Sequence, residues 1–309
     1  MLFMQNVPNF FLIGAAKCGT TSIADYLNQH PEVYFSAYKE PNYFALVNED
    51  LSHPGPLSPK MNFHIQYSRS LVTEADYEQA FVNAGDAKIR ADASVRYLYY
   101  PKTAQRIAQH APDAKLIAVL REPVSRLYSH YCMNVQFQTE PLSLQKALES
   151  EDSRVAAGWG WDWHYTRLGR YTEQLERYYQ HFDKSQLLVI LYDDLVKHPL
   201  ETYHRICRHL GISDTFTPDM SKRGKVPTQP RSRMLDRWLN WPDSSRKTLE
   251  SWLPPRITTK ITQTLSEINN KAVPKLSPSL HQELASLFYD EATKLETLLE
   301  RKIPWYKSS

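Results

Sequence analysis

Residues 12–22 read Leu-Ile-Gly-Ala-Ala-Lys-Cys-Gly-Thr-Thr-Ser, which gathers one lysine, two glycines and three hydroxyl side chains into a single short stretch. A glycine-bounded turn that leaves a strand and opens a helix aims several backbone N–H groups and the positive helix end at one point. Phosphate or sulfate binds there. In the nucleotide-triphosphate loop the lysine stands directly after the second glycine. Here Lys17 precedes Gly19, and Thr20, Thr21 and Ser22 follow it. The plainer reading is a tight turn with capping threonines; the combined pattern favours an anion site.

A second group of residues falls at Arg121-Glu122-Pro123-Val124-Ser125-Arg126-Leu127-Tyr128-Ser129. Arg121 ends the apolar run Lys-Leu-Ile-Ala-Val-Leu, at the carboxyl rim where ligands bind in open α/β sheets. An arginine there can hold a phosphate through two N–H groups. Ser129, two helical turns on, adds a hydroxyl. Taken singly, such an arginine more often pairs with a carboxylate. Glu40, in Lys39-Glu40-Pro41, reads by itself as a surface carboxylate beside a neutralising lysine. His130 is the other residue with the chemistry of a base, although its Ser-His-Tyr setting suits packing. The run Trp159-Gly160-Trp161-Asp162-Trp163-His164-Tyr165 could stack a sugar or an aromatic acceptor, or pin a long loop to the domain.

The elements that must position these groups follow from periodicity. Phe10–Ile13 is a continuous apolar run ending in glycine, as in a strand buried on both faces of a parallel sheet. Thr20–Gln29 reads as a helix closed by His30-Pro31. Residues 88–95, 115–120 and 186–191 read as further strands. Helices are expected from Pro101 to Gln109, from Pro123 to Gln136 and from Leu200 to Leu210. Strands alternating with helices predict a three-layer α/β/α fold around a central parallel sheet. No strand signal follows Leu191. Residues 213–233 are polar and basic, and the expectation is a mobile loop or linker. From Asp243 onward the pattern is helical, strongest over Leu280–Leu299, and belongs to one domain spanning residues 1–309.

Composition excludes several classes. The 309 residues carry a net charge of +3, far from the basic surface of a nucleic-acid binder. Three cysteines, Cys18, Cys132 and Cys207, form no paired spacing, which argues against a disulfide framework or a zinc site and for a reducing compartment. The longest apolar run is too short to cross a bilayer, and no leader pattern surrounds it. The expected location is cytoplasmic.

Together, Gly-x-x-Lys-x-Gly-Thr-Thr after a first strand and Arg-x-Pro with a serine eight residues after the arginine resemble the sulfotransferases that use 3′-phosphoadenosine 5′-phosphosulfate. The resemblance implies the P-loop-like sulfotransferase fold. It assigns Lys17, Cys18, Gly19, Thr20, Thr21 and Ser22 to the 5′-phosphosulfate. Arg121 and Ser129 go to the 3′-phosphate, and Lys222 and Arg223 to a loop closing over the nucleotide. Lys39-Glu40-Pro41-Asn42-Tyr43-Phe44 is similar to the Lys-Glu-x-x-aromatic-Phe segment of the carbohydrate (heparan sulfate-like) branch, whose glutamate is the general base; Glu40 takes that role. Asp92-Ala93-Ser94, Gly169-Arg170-Tyr171, Asp193-Asp194-Leu195 and Ile303-Pro304-Trp305 match bacterial members. Ala93 and Ala45 stand where the heparan enzymes carry lysine and aspartate, differences that bear on the acceptor.

The implied reaction is in-line transfer of a sulfuryl group to a hydroxyl or amine of a carbohydrate or small metabolite. Glu40 and Lys17 act in catalysis, no metal takes part, and adenosine 3′,5′-bisphosphate is the product. Two alternatives stand beside it. A kinase with a degenerate phosphate loop needs a magnesium-binding aspartate where this chain has Arg121, and a nucleotide- or sulfoglycan-binding module would show no turnover.

Overall fold

The computed structural model describes residues 8–57, 61, 62, 67, 70–221, 228–230, 264, 270–272 and 275–306. Five parallel strands form the central sheet in the order β2-β3-β1-β4-β5: β1 (Phe10–Gly14), β2 (Val33–Phe35), β3 (Ile89–Ala93), β4 (Lys115–Leu120) and β5 (Leu187–Leu191). β1 lies in the middle, with Phe10 opposite Ala91 on one side and Lys115 on the other. All its residues are buried, which is why its sequence is continuously apolar and does not alternate.

Parallel neighbours need long crossovers, and helices supply them. α1 (Thr20–Leu27) follows β1; α2 (Tyr43–Leu46) and α3 (Glu74–Gln79) lie between β2 and β3; α4 (Thr103–His110) joins β3 to β4. α5 (Pro123–Gln136) leaves β4, starting with proline in its first turn. Then come α6 (Leu144–Glu149), α7 (Glu151–Ala156) and α8 (Tyr171–Tyr179). Beyond β5 run α9 (Tyr192–Lys197) and α10 (Pro199–Leu210), then α11 (Pro278–Ala285) and α12 (Tyr289–Leu299). The helices flank the sheet in the expected three-layer arrangement.

From β1 the chain steps to β2 and β3 on one side and then crosses to β4 and β5 on the other. The reversal puts a crevice at the carboxyl ends of β1 and β4, the place where open α/β sheets bind ligands. Residues 15–19 leave β1 there and Arg121 leaves β4 there.

Three sequence expectations are corrected. β2 was not anticipated, since three residues are too few to carry a periodic signal. A second, antiparallel pair, β6 (Thr228–Pro230) with β7 (Asn270–Ala272), lies beyond Leu191, where none was expected. Neither Thr-Gln-Pro nor Asn-Lys-Ala has an apolar face to reveal it. The stretch 280–299 is two helices separated by a 3₁₀ turn at Ser286–Phe288. Lys222, Arg223 and most of the segment from Asp243 to 269 lie outside the described residues. The C-terminal helices share the cores of the sheet domain: Leu295 and Ile303 pack with the strand residues, and Leu284 and Phe288 with Val124 and Leu127 of α5. Among the described residues, no helix is long and apolar enough to cross a membrane.

Gly14 has φ +150°, and a Cβ there would meet Leu98 Cβ at 2.9 Å. Gly14→Ala should therefore lower the free energy of unfolding by at least about 2 kcal/mol, through backbone strain and overpacking together, as read by denaturant titration.

Candidate active site

The loop after β1 turns sharply: Lys17 has φ +68° and Gly19 φ +88°. Glycine is required at 19 for space as well as for backbone, because a Cβ would meet Tyr192 and Leu195 at 3.0 Å. Gly19 is also the N-cap of α1, and no side chain caps the helix. Among the described residues, nothing accepts from the N–H groups of Gly19, Thr20 or Thr21. Donors at a positive helix end with no protein partner are the requirement for an anion site.

The contrast with α5 is instructive. Its N-terminus is closed by Glu122, which accepts from Val124 N at 3.0 Å and Ser125 N at 2.7 Å. Tyr306 donates to the same carboxylate at 2.5 Å, and His281 lies 3.2 Å from it. Burial pushes the carboxyl up, but the hydrogen bonds from Ser125, Tyr306 and Val124 hold it below the ordinary glutamate range. Of the helices that leave β1 and β4, α5 is capped by a side chain and α1 is not.

Arg121 adjoins that open end. Its Nη1 donates to Lys17 O at 3.3 Å, its guanidinium lies 4.8 Å from the Tyr192 ring, and Tyr171 donates to its carbonyl at 2.8 Å. Ser129 is half-buried on α5. β6 runs beside α5, so residues 228–230 of the basic segment come alongside the helix that carries Ser129. Lys17 is half-buried, with Nζ 3.4 Å from Met133 Sδ on α5. Burial, followed by the charge of Arg121, lowers its pKa from the ordinary lysine value. Cys18 is fully buried with its thiol pushed up by burial, so it contributes backbone and packing to the loop.

Glu40 shares a cavity of about 260 Å³ with Thr20, Thr21, Asp25 and Asn28 of α1, and with Phe35, Ser36, Tyr38 and Lys39. Ala93, one of the differences from the heparan pattern, lines it too; Ala45, the other, is buried in the core. Burial raises the Glu40 pKa, opposed by Arg96, Lys39 and Lys17 and reinforced by Asp162. The result is a carboxylate more basic than an ordinary surface glutamate, the direction a general base needs.

The sequence reading missed Arg96. It is 5 % exposed, 4.7 Å from the Trp161 ring and 5.1 Å from the Tyr67 ring, and its Nη2 lies 4.0 Å from Asp162. It leaves the carboxyl end of β3, the rim rule that singled out Arg121, so the signal was available. The aromatic run divides by role. Trp163 and Tyr165 are buried, donating to Thr139 O at 3.0 Å and to Glu140 at 2.9 Å, whereas Trp161 carries Arg96. His130 is fully buried against Trp161 and Tyr165. Burial, with the charges of Arg126 and Lys17, holds it neutral well below the usual histidine range.

Known proteins resemble this chain in sequence and in fold. A family model described as "Sulfotransferase family" matches residues 8–218. Human "Carbohydrate sulfotransferase 15" is 27% identical over 306 residues, covering 85% of this chain and 54% of that protein. Human "Heparan sulfate glucosamine 3-O-sulfotransferase 6" is 25% identical over 213 residues, covering 69% of this chain and 55% of that protein. The chain thus spans about half the length of these curated relatives. Among solved structures, a sulfotransferase from Alicyclobacillus acidocaldarius superposes with a TM-score of 0.72 at 29% identity, covering 96% of this chain and 97% of that one. With the family's motifs standing at the crevice of a matching fold, the chain belongs to the sulfotransferase family.

Proposed function

We propose that the protein transfers a sulfuryl group from 3′-phosphoadenosine 5′-phosphosulfate to a hydroxyl of a carbohydrate acceptor. The observation that carries this reading is the shared cavity: Glu40 faces the same space as Thr20 and Thr21, the first residues of the uncapped helix. A base and an anion cradle on one cavity are what in-line transfer between two bound partners requires.

The donor supplies an activated sulfuryl group on a phosphate leaving group. Around it, the N–H groups of residues 19–21 and the hydroxyls of Thr20, Thr21 and Ser22 bind the 5′-phosphosulfate. Lys17 stabilises charge on the transferring and departing oxygens. Its lowered pKa makes its proton easier to share with that phosphate. Arg121 and Ser129 hold the 3′-phosphate, and Lys222 and Arg223 close over the nucleotide. Glu40 takes the acceptor's proton. No assigned step uses a metal ion.

The carbohydrate acceptor is supported by the cavity lining. Thr21, Asn28 and Ser36 offer uncharged polar groups, and Phe35 and Tyr38 offer aromatic faces, a mixture suited to a polyol. With Ala93 in place of a lysine, the one cation lining the cavity among the described residues, Lys39, stands with Asp25 and Glu40. That balance favours a sparsely charged sugar over a polyanionic chain.

Five measurements test the reading. Adenosine 3′,5′-bisphosphate should raise Tm far more than ATP, and Arg121→Ala should weaken its binding about ten- to a hundredfold without unfolding the protein. Glu40→Gln should lower kcat roughly 10²–10⁴-fold with bisphosphate affinity unchanged. Because a protonated Glu40 cannot accept a proton, the wild-type rate should fall with decreasing pH through a value above the ordinary glutamate range. It should fall again at high pH, as Lys17 loses its proton below the ordinary lysine value. Turnover should survive exhaustive chelation; loss with EDTA and recovery with magnesium would point to phosphoryl transfer instead.

A further inference from the structure

Glu40 stands in an unusual piece of backbone. It has φ +54° and Asn42 has φ +56°, so two non-glycine residues adopt the left-handed conformation on either side of Pro41. Such a segment persists only where its surroundings over-determine it. Four hydrogen bonds fix it locally. Asn42 Nδ2 donates to Glu40 O at 2.7 Å and to Ser70 Oγ at 3.2 Å, and Leu71 N donates to Pro41 O at 2.8 Å. The fourth runs from Asn42 N to Ser94 Oγ at 3.0 Å.

That fourth bond leads inward. Ser94 Oγ donates to Asp92 Oδ1 at 2.6 Å, and Tyr97 OH donates to Asp92 Oδ2 at 2.7 Å. Tyr97 OH in turn accepts from Phe44 N at 3.4 Å. Asp92 has no exposed surface and sits on β3 opposite Phe11 of β1, at the centre of the sheet. Tyr77 OH of α3 completes its shell at 2.7 Å. A hydroxyl has one proton to give. An ionised carboxylate accepts only, so it claims the proton of Ser94 and that of Tyr97 and turns their lone pairs outward, toward the N–H groups of Asn42 and Phe44.

We propose that Asp92 is a positioning residue: through Ser94 and Tyr97 it polarises two hydroxyls as acceptors for the backbone on both sides of Asn42-Tyr43, and so ties the strained Glu40 segment to the rigid sheet. This rests on Glu40 being the base. The function assigned to Asp92 is orientation of that base, not contact with donor or acceptor. It also gives a physical role to the Asp92-Ala93-Ser94 match that the donor motifs leave unexplained.

The test is a double-mutant cycle on the full chain, with kcat, bisphosphate Kd and Tm measured for Ser94→Ala, Glu40→Gln and both together. Displacing a catalytic group by a fraction of an ångström to one ångström costs about 10- to 100-fold. Ser94→Ala should therefore lower kcat by about that factor, leave bisphosphate Kd unchanged, and cost nothing more once Glu40 is glutamine. Tyr77→Phe removes a bond to the same carboxylate yet touches neither Asn42 N nor Phe44 N. It should lower Tm comparably while kcat holds, separating orientation from stability. Wild-type turnover in Ser94→Ala beside an inactive Glu40→Gln overturns the inference alone, as does an equal loss from Ser94→Ala in both backgrounds. An equal fall of kcat in Tyr77→Phe and Ser94→Ala does the same. Wild-type turnover in Glu40→Gln overturns the base assignment first and this inference with it.

Discussion

Everything at the crevice depends on backbone N–H groups that the fold leaves without a protein acceptor. β1 is buried on both faces, so its chain must exit at the carboxyl edge of the sheet and begin α1 within a few residues. Gly19 makes that turn and brings no side chain to cap the helix. Unpaired donors at a helix start are normally satisfied by a capping residue or water. In the proposed reaction the donor takes that capping role. The neighbouring α5 shows that the chain can close a helix when closure is useful, since Glu122 does so with two bonds and is itself held by Tyr306 and His281.

Around this open end the charges are mutually constrained. Burial, then Arg121 and Arg126, depress Lys17, while Glu40 supports its charge. Arg96, Lys39 and Lys17 draw Glu40 down against a burial penalty that pushes it up, and Asp162 adds to the push. Such a balance keeps the proposed base and Lys17 close together, with no direct salt bridge between them among the described residues. Any substitution among these residues therefore acts on more than one ionisation, and measured pH profiles report the coupled set.

The donor half of this arrangement was legible in the sequence because its elements are long, buried and continuous. Phe10–Ile13 and Lys115–Leu120 mark their strands without ambiguity, and the loop and arginine follow at their ends. The sheet edge and the acceptor side were less legible. β2 is three residues long, and the β6–β7 pair has no apolar alternation. Arg96 is buried by aromatic residues far apart in the chain, Tyr67 and Trp161, which no local pattern links. Glu40 could be picked out only by resemblance. The backbone that carries it is tied through Asn42 and Ser94 to Asp92, by hydrogen bonds that no spacing in the sequence announces.

Tyr192 has a consequence of another kind. Its ring faces the Arg121 guanidinium at 4.8 Å, and the same ring stands where a Cβ at Gly19 would have to go. One aromatic plate thus forms a common wall for the helix start and for the arginine, the two places proposed to face the two anions of the donor. The separation between the two is set by a single rigid part, as the jaws of a caliper are set by their beam. With the proposed assignment, a nucleotide is selected by the span between its two charged ends more than by its total charge. Redesign toward another donor would have to move that plate before changing any residue that touches the ligand.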